Sequence, residues 1–176
     1  MKDRTREAVF NLVGPDVRTM FAWDLFAGTG ALGIEAVSRG AVGALLIEQH
    51  IPSYKIIRDN VQALNLEGKV RYVQSDVFHW VASHHDPAAT VGIPPETPWL
   101  VFCSPPYAFF HEREEAMQKM LVTLRDRAPA GSALVVESEA PFDFETFWPD
   151  DWDVRSYPPA LVGLWHKPTE SETAEI

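Results

Sequence analysis

Apolar residues along this chain recur in two rhythms that alternate. In DRTREAVFNLV, Ala8, Val9, Leu12 and Val13 fall on one helical face, and Asp3 is placed to cap the helix start. FAWDLF reads as a short strand, and ALGIEAVSRG as a helix stopped by Gly40. GALLIE is a continuous apolar strand ending at Glu48, Ser53 to Leu64 an amphipathic helix, and KVRYVQ an alternating strand that leads to Asp76. VFHWVASHH predicts a short helix, WLVFC a buried strand, and His111 to Arg127 one long charged helix with Met117, Met120, Leu121 and Leu124 facing in. SALVVE is another buried strand. DVRSY and LVGLWHK flank Pro158 and Pro159 as a closing hairpin, an antiparallel finish. The segment Asp86 to Pro98, DPAATVGIPPETP, reads as a proline-rich surface loop. Alternating helices and strands predict an α/β fold built on a parallel sheet. One domain is expected over residues 1–168, with 169–176 an acidic tail expected to be disordered.

The strongest local signal is DLFAGTGALGIEA, Asp24 to Ala36. A strand ends, Gly28, Gly30 and Gly33 follow at G-x-G-x-x-G spacing, and a helix begins. Glycines there let the backbone turn tightly and let a ligand approach closely. The glycine spacing alone is a weak signal; the strand before it and the helix after it give it weight. Glu48 ends the next strand 18 residues beyond Gly30, a position that suits a carboxylate binding ribose hydroxyls. Asp76 ends the third strand, where an acid can hydrogen-bond an adenine amino group. A nicotinamide dinucleotide and S-adenosylmethionine both fit these features.

The stretch SPPY, Ser104 to Tyr107, decides between them. Prolines cannot continue a central strand, so WLVFC stops abruptly there. A dehydrogenase has no need of a proline-proline-aromatic turn at that place, whereas an amino methyltransferase does. An exocyclic amine on a nucleobase is a poor nucleophile, because its lone pair is delocalised into the ring. A side-chain oxygen and a proline carbonyl can hold the amine by its hydrogens and aim the lone pair at a methyl donor, while the aromatic ring stacks on the base. Such positioning accounts for a large part of a rate.

The 176 residues, 46% of them hydrophobic, suit one globular domain with a real core. No apolar run approaches the roughly 20 residues of a membrane span, and the charged N-terminus lacks a signal-peptide centre. Cys103 is the only cysteine, which excludes an intrachain disulfide and a cysteine metal cluster. A cytoplasmic protein is expected. The formal net charge of −10 opposes nucleic acid on average, although Lys2, Arg4, Arg6 and Arg18 leave a local basic segment at the start.

With these motifs the chain resembles the class I S-adenosylmethionine-dependent methyltransferases. Within them it is most similar to the RsmD type, the bacterial guanine-N2 methyltransferases of small-subunit ribosomal RNA. The resemblance runs from Lys2 to about Lys167, through KDRTREAVFNL, DLFAGTGALGIEAVSRGA, LIE, SPPY and VVESE. It implies a Rossmann-like, seven-stranded, mostly parallel sheet with a terminal antiparallel strand and helices on both faces. It implies cofactor contacts from Asp24, Gly28, Gly30, Glu48 and Asp76 and their neighbours Phe26, Ala27, Thr29, Gln49 and Val77. It makes Ser104, Pro105, Pro106 and Tyr107 the base-binding catalytic turn, on rRNA presented within a ribosomal particle, by a monomer using no metal. Arg4 and Arg6 are weaker candidates for RNA phosphate or the cofactor carboxylate; solvated helix charge explains them as well.

The sequence departs from that pattern in two ways. The family usually has Asp or Asn before the prolines, and here Ser104 keeps an acceptor oxygen that is shorter and uncharged. Serine at this place is seen in the cytosine-N4 DNA methyltransferases, so DNA cytosine is an alternative target, and a non-catalytic homologue is another. The family also begins with a basic glycine-arginine segment ahead of the first helix, so either the chain starts further upstream or its RNA grip is weakened. Glu137 and Glu139 are expected at the cleft edge in a structural or substrate-rim role and not in catalysis. His50, His84 and His85 are expected to be exposed, Trp80 and Trp165 to lie in the core, and Cys103 to be buried and unreactive.

Overall fold

The computed structural model describes residues 3–149 and 152–169. The acidic tail from residue 170 lies outside the described residues, as do the side chains of Asp3 and Arg4, and so the expected Asp3 cap. Helix α1 spans Asp3–Val13, β1 Phe21–Asp24, α2 Ala31–Ser38, β2 Gly43–Glu48, α3 Ile51–Ala63 and β3 Val70–Gln74. Then follow α4 Val77–Ser83, α5 Pro87–Val91, β4 Trp99–Cys103, α6 Phe109–Glu112, α7 Glu114–Arg127 and β5 Ala133–Glu139. The hairpin of β6 Asp153–Tyr157 and β7 Ala160–His166 closes the chain. The seven strands form one sheet in the order β3-β2-β1-β4-β5-β7-β6. The first five pair in parallel, and β7 runs antiparallel to both β5 and β6.

Strand alternation sorts side chains to two cores. Ala22, Leu46, Leu100, Phe102, Val135 and Val162 face α1, α2 and α3. Trp23, Ile47, Val101, Cys103, Val136 and Trp165 face α4 to α7. The β4 positions are between 0 and 2% exposed, as a central strand covered on both faces must be. Trp23 packs between Trp80 and Trp99, with ring centroids 5.8 and 5.2 Å away. No helix among the described residues is long and apolar enough to cross a membrane.

Four local expectations change. Helix α3 starts at Ile51, not Ser53, because Pro52 sits in the first turn, where its missing N–H costs nothing. The expected helix from His111 to Arg127 is two: Arg113 leaves helical geometry (φ −133°), and α7 restarts with Glu114 and Glu115 at its positive end. The proline-rich segment is not wholly surface loop. Asp86 caps α5 by accepting the Ala89 N–H at 2.9 Å, and Ala88 and Val91, three apart on one helical face, are buried. His84 is half-buried, its ring stacked on Trp80 at 4.4 Å.

The loop between β1 and α2 is held from behind by Asp24. Its carboxylate is buried and accepts the Gly33 N–H at 3.0 Å. Burial pushes its pKa up to about 7; the Gly33 hydrogen bond opposes that shift and the Glu48 charge adds to it. Gly30 has φ +84°, and a Cβ there would lie 2.7 Å from Leu46 Cδ2, itself fully buried. Burial also pushes the Cys103 thiol well above its ordinary range, with the Asp24 charge a lesser cause.

Gly30→Ala is expected to cost about 2 kcal/mol, from left-handed strain plus crowding, read by chemical denaturation. Because the folded pKa of Asp24 is raised, its contribution is full below the unfolded value and is lost as pH rises through about 7. Asp24→Asn keeps an acceptor for Gly33 without that titration. Its unfolding free energy minus that of the wild type should therefore grow as pH rises from roughly 5 to 8. Cys103 should resist an aromatic disulfide reagent in the native protein and react in denaturant.

Candidate active site

Connections run one way from β1 to β2 and β3 and the other way from β4 to β5, so the strand order reverses between β1 and β4. Open α/β sheets bind ligands in the crevice at the carboxyl ends of such strands. A cleft of about 840 Å³ lies there, within the range of small-molecule sites. Its walls include Phe26 and Gly28 after β1, Glu48 and Gln49 at the end of β2, Asp76 and Val77 after β3, and Ser104 to Tyr107 after β4.

Glu48 organises one end. One carboxylate oxygen accepts the Gly28 N–H at 2.7 Å and the other accepts the His50 N–H at 2.7 Å. Gly28 has φ +54°, and the space a Cβ would occupy holds no atom within 4 Å, so the backbone can meet a ligand directly. Asp76 caps α4 through the His79 N–H at 3.0 Å, and its other oxygen lies 3.6 Å from the Arg113 guanidinium. Asp24, Ala27, Thr29 and Gly30 do not line the cleft. Ala27 is buried with its N–H on the Ile47 carbonyl, and Thr29 is exposed with its carbonyl accepting from Asn60 Nδ2. These residues shape the loop from behind or from outside. Arg6 lies on α1, away from the cleft lining.

At the other end, β5 runs past the end of β4. Cys103 pairs with Val136, so the next residues, Ser104 and Glu137, come side by side. Ser104 Oγ donates to Glu137 Oε2, and the Tyr107 hydroxyl donates to Glu137 Oε1 at 3.2 Å. Glu137 is 4% exposed, yet it forms part of the cleft wall. The Tyr107 pKa is pushed up to about 12 by desolvation first and then by the Glu137 charge, so its hydroxyl stays a donor.

Phe26, expected at the cofactor site, meets two residues that sequence reasoning missed: Phe26, Phe78 and Phe109 form an aromatic group with centroids 6.0 to 6.1 Å apart. The Arg113 guanidinium lies over Phe109 at 4.7 Å and Phe78 at 5.4 Å. Apolar spacing marked α4 but could not show that Phe78 meets Phe109, which opens α6. The turn after SPPY, with its two phenylalanines, was the available hint. His50, Ile51 and Pro52 wall the cleft at the start of α3. No group of acids, histidines and cysteine able to hold a metal ion occurs among the described residues.

The arrangement suits an elongated ligand with a polar hydroxylated part at Glu48 and a flat group at Tyr107. The chain as a whole resembles known proteins. The family described as Conserved hypothetical protein 95 matches residues 1–145. The ribosomal RNA small subunit methyltransferase D of Escherichia coli (strain K12) is 32% identical over 155 residues, 87% of this chain and 70% of that protein. The solved structure of the Escherichia coli protein yhhF superposes with a TM-score of 0.73 at 27% identity, covering 97% of this chain and 88% of that one. An RNA methyltransferase from Salinibacter ruber, solved in complex with S-adenosyl-L-homocysteine, shares the fold at 19% identity. Its TM-score is 0.67, over 97% of this chain and 94% of that one. The chain belongs to the Conserved hypothetical protein 95 family, the family of the small-subunit ribosomal RNA methyltransferases of the RsmD type.

Proposed function

We propose that this chain binds S-adenosylmethionine in the cleft and methylates the exocyclic N2 amine of a guanine in small-subunit ribosomal RNA. The observation that carries the reading is the cleft itself, with the glycine loop and Glu48 at one end and Ser104 to Tyr107 at the other. When bound, the cofactor supplies a methyl group activated by its sulfonium charge. Glu48 faces the ribose hydroxyls, with the Gly28 and His50 amides fixing its carboxylate. Asp76 and Val77 flank the adenine, and Phe26 and Gln49 complete the wall. The open side of Gly28 admits the cofactor against the backbone.

Pro105 and Pro106 end β4 rigidly, so the turn keeps its shape when the base arrives. The target amine is held by the Ser104 oxygen and a proline carbonyl, and Tyr107 stacks on the base. The first contribution of this set to catalysis is positioning of the amine. The RNA requirement is met on a ribosomal particle, whose protein and RNA surfaces supply contacts that an acidic chain lacks.

Titration calorimetry should show saturable binding of S-adenosylmethionine and of S-adenosylhomocysteine, and none of NAD. Absence of binding would overturn the cofactor assignment. Glu48→Ala should weaken that binding by about 10- to 100-fold, the effect of losing hydrogen bonds to a charged group. Small ribosomal subunits purified from cells lacking the gene should accept one labelled methyl group per particle. Mapping it to cytosine, or finding transfer only to DNA, would refute the guanine assignment.

A further inference from the structure

Ser104 offers the turn a short, uncharged hydroxyl, and nothing in its own side chain supplies a charge. The neighbouring strand does. Ser104 and Glu137 each lie two residues beyond a position facing the α1–α3 core, Phe102 and Val135, so both point to the same side of the sheet. There the Ser104 hydroxyl donates to one Glu137 oxygen and the Tyr107 hydroxyl donates to the other. A carboxylate only 4% exposed is costly to bury unless donors meet it, and here two of them come from the catalytic turn.

We infer that Glu137 is a positioning residue of the methyl transfer, acting through Ser104 as one composite acceptor. This rests on the methyltransferase reading above. A serine hydroxyl that gives its proton to a carboxylate presents its lone pairs outward and accepts more strongly than a free hydroxyl. The amine of the base donates one hydrogen to Ser104 Oγ. Its nitrogen lone pair forms the new N–C bond to the methyl group, and the S–C bond breaks with its electron pair staying on sulfur, which becomes a neutral thioether. The nitrogen sheds its proton to Ser104 Oγ as the serine proton moves to Glu137. The carboxyl then loses that proton to solvent when the product leaves. Glu137 thus supplies, from the adjacent strand, the negative charge that Ser104 lacks.

The test measures four proteins, wild type, Glu137→Gln, Ser104→Asp and the double variant. The assays are tritiated methyl transfer to small ribosomal subunits from cells lacking the gene and calorimetric binding of S-adenosylmethionine. Glu137→Gln should lower kcat about 100-fold, within the range of a lost proton acceptor, with cofactor affinity within about two-fold of wild type. Ser104→Asp in the wild-type background should also lower kcat, because two carboxylates then crowd one site. In the Glu137→Gln background the same substitution should raise kcat at least about ten-fold, a reversal that independent or purely structural roles do not produce. Should Glu137→Gln fail to bind cofactor, Ser104→Ala carries the test, with a similar loss of kcat expected and unchanged binding. An unimpaired Glu137→Gln or Ser104→Ala, or additive effects in the double variant, overturns the inference while leaving the enzyme reading intact. A wild type that binds cofactor but transfers no methyl group overturns both.

Discussion

The parallel pairing of β1 with β4 is the constraint on which everything else in this molecule depends. It sets Asp24 against Phe102 and continues through the Leu25 N–H on the Phe102 carbonyl at 3.0 Å. That register brings together two turns that lie about 80 residues apart in the chain, the glycine loop and Ser104 to Tyr107. Parallel neighbours must be joined by crossovers, so both turns emerge at the same edge of the sheet, and the order reversal leaves a crevice between them. Slipping β4 by one residue would turn Phe102 and Val101 to the wrong cores and move the proline turn with them.

Three carboxylates around this crevice behave differently because their surroundings differ. Asp24 is sealed beneath the glycine loop, where burial favours its protonated form. Glu48 is half-buried at the wall, and two backbone amides fix it in place. Glu137 is buried like Asp24 but meets hydroxyl donors from the opposite turn. The first therefore holds the loop's shape, the second faces the cleft with a defined orientation, and the third joins β5 to the β4 turn. Side-chain chemistry is the same up to one methylene; environment assigns the work.

The aromatic rim adds a softer element. Phe26, Phe78 and Phe109 come from three separate segments, and Arg113 covers two of them while reaching Asp76. Each such contact is worth about 1 kcal/mol or less at an exposed site. The rim is thus held less firmly than the strand ends behind it.

Much of this fold was legible in the sequence, for physical reasons that particular residues show. Buried strands such as WLVFC announce themselves because a central parallel strand must be apolar on both faces. Gly28 and Gly30 announce the loop because their positive φ values exclude most other residues. Local chemistry of this kind also marked Glu48, Asp76 and SPPY, each at a strand end. The break at Arg113 and the buried side of α5 were less visible, since a charged helical rhythm hides an interruption and prolines hide a short helix. What only the tertiary structure decided is which strand ends become neighbours. Asp24 stands four residues before Gly28, so local sequence already ties it to the glycine loop, whereas nothing near Glu137 in the chain points to Ser104. The β4–β5 register sets Glu137 beside Ser104, because long-range pairing, unlike helical or strand periodicity, leaves no trace in the residues next to it.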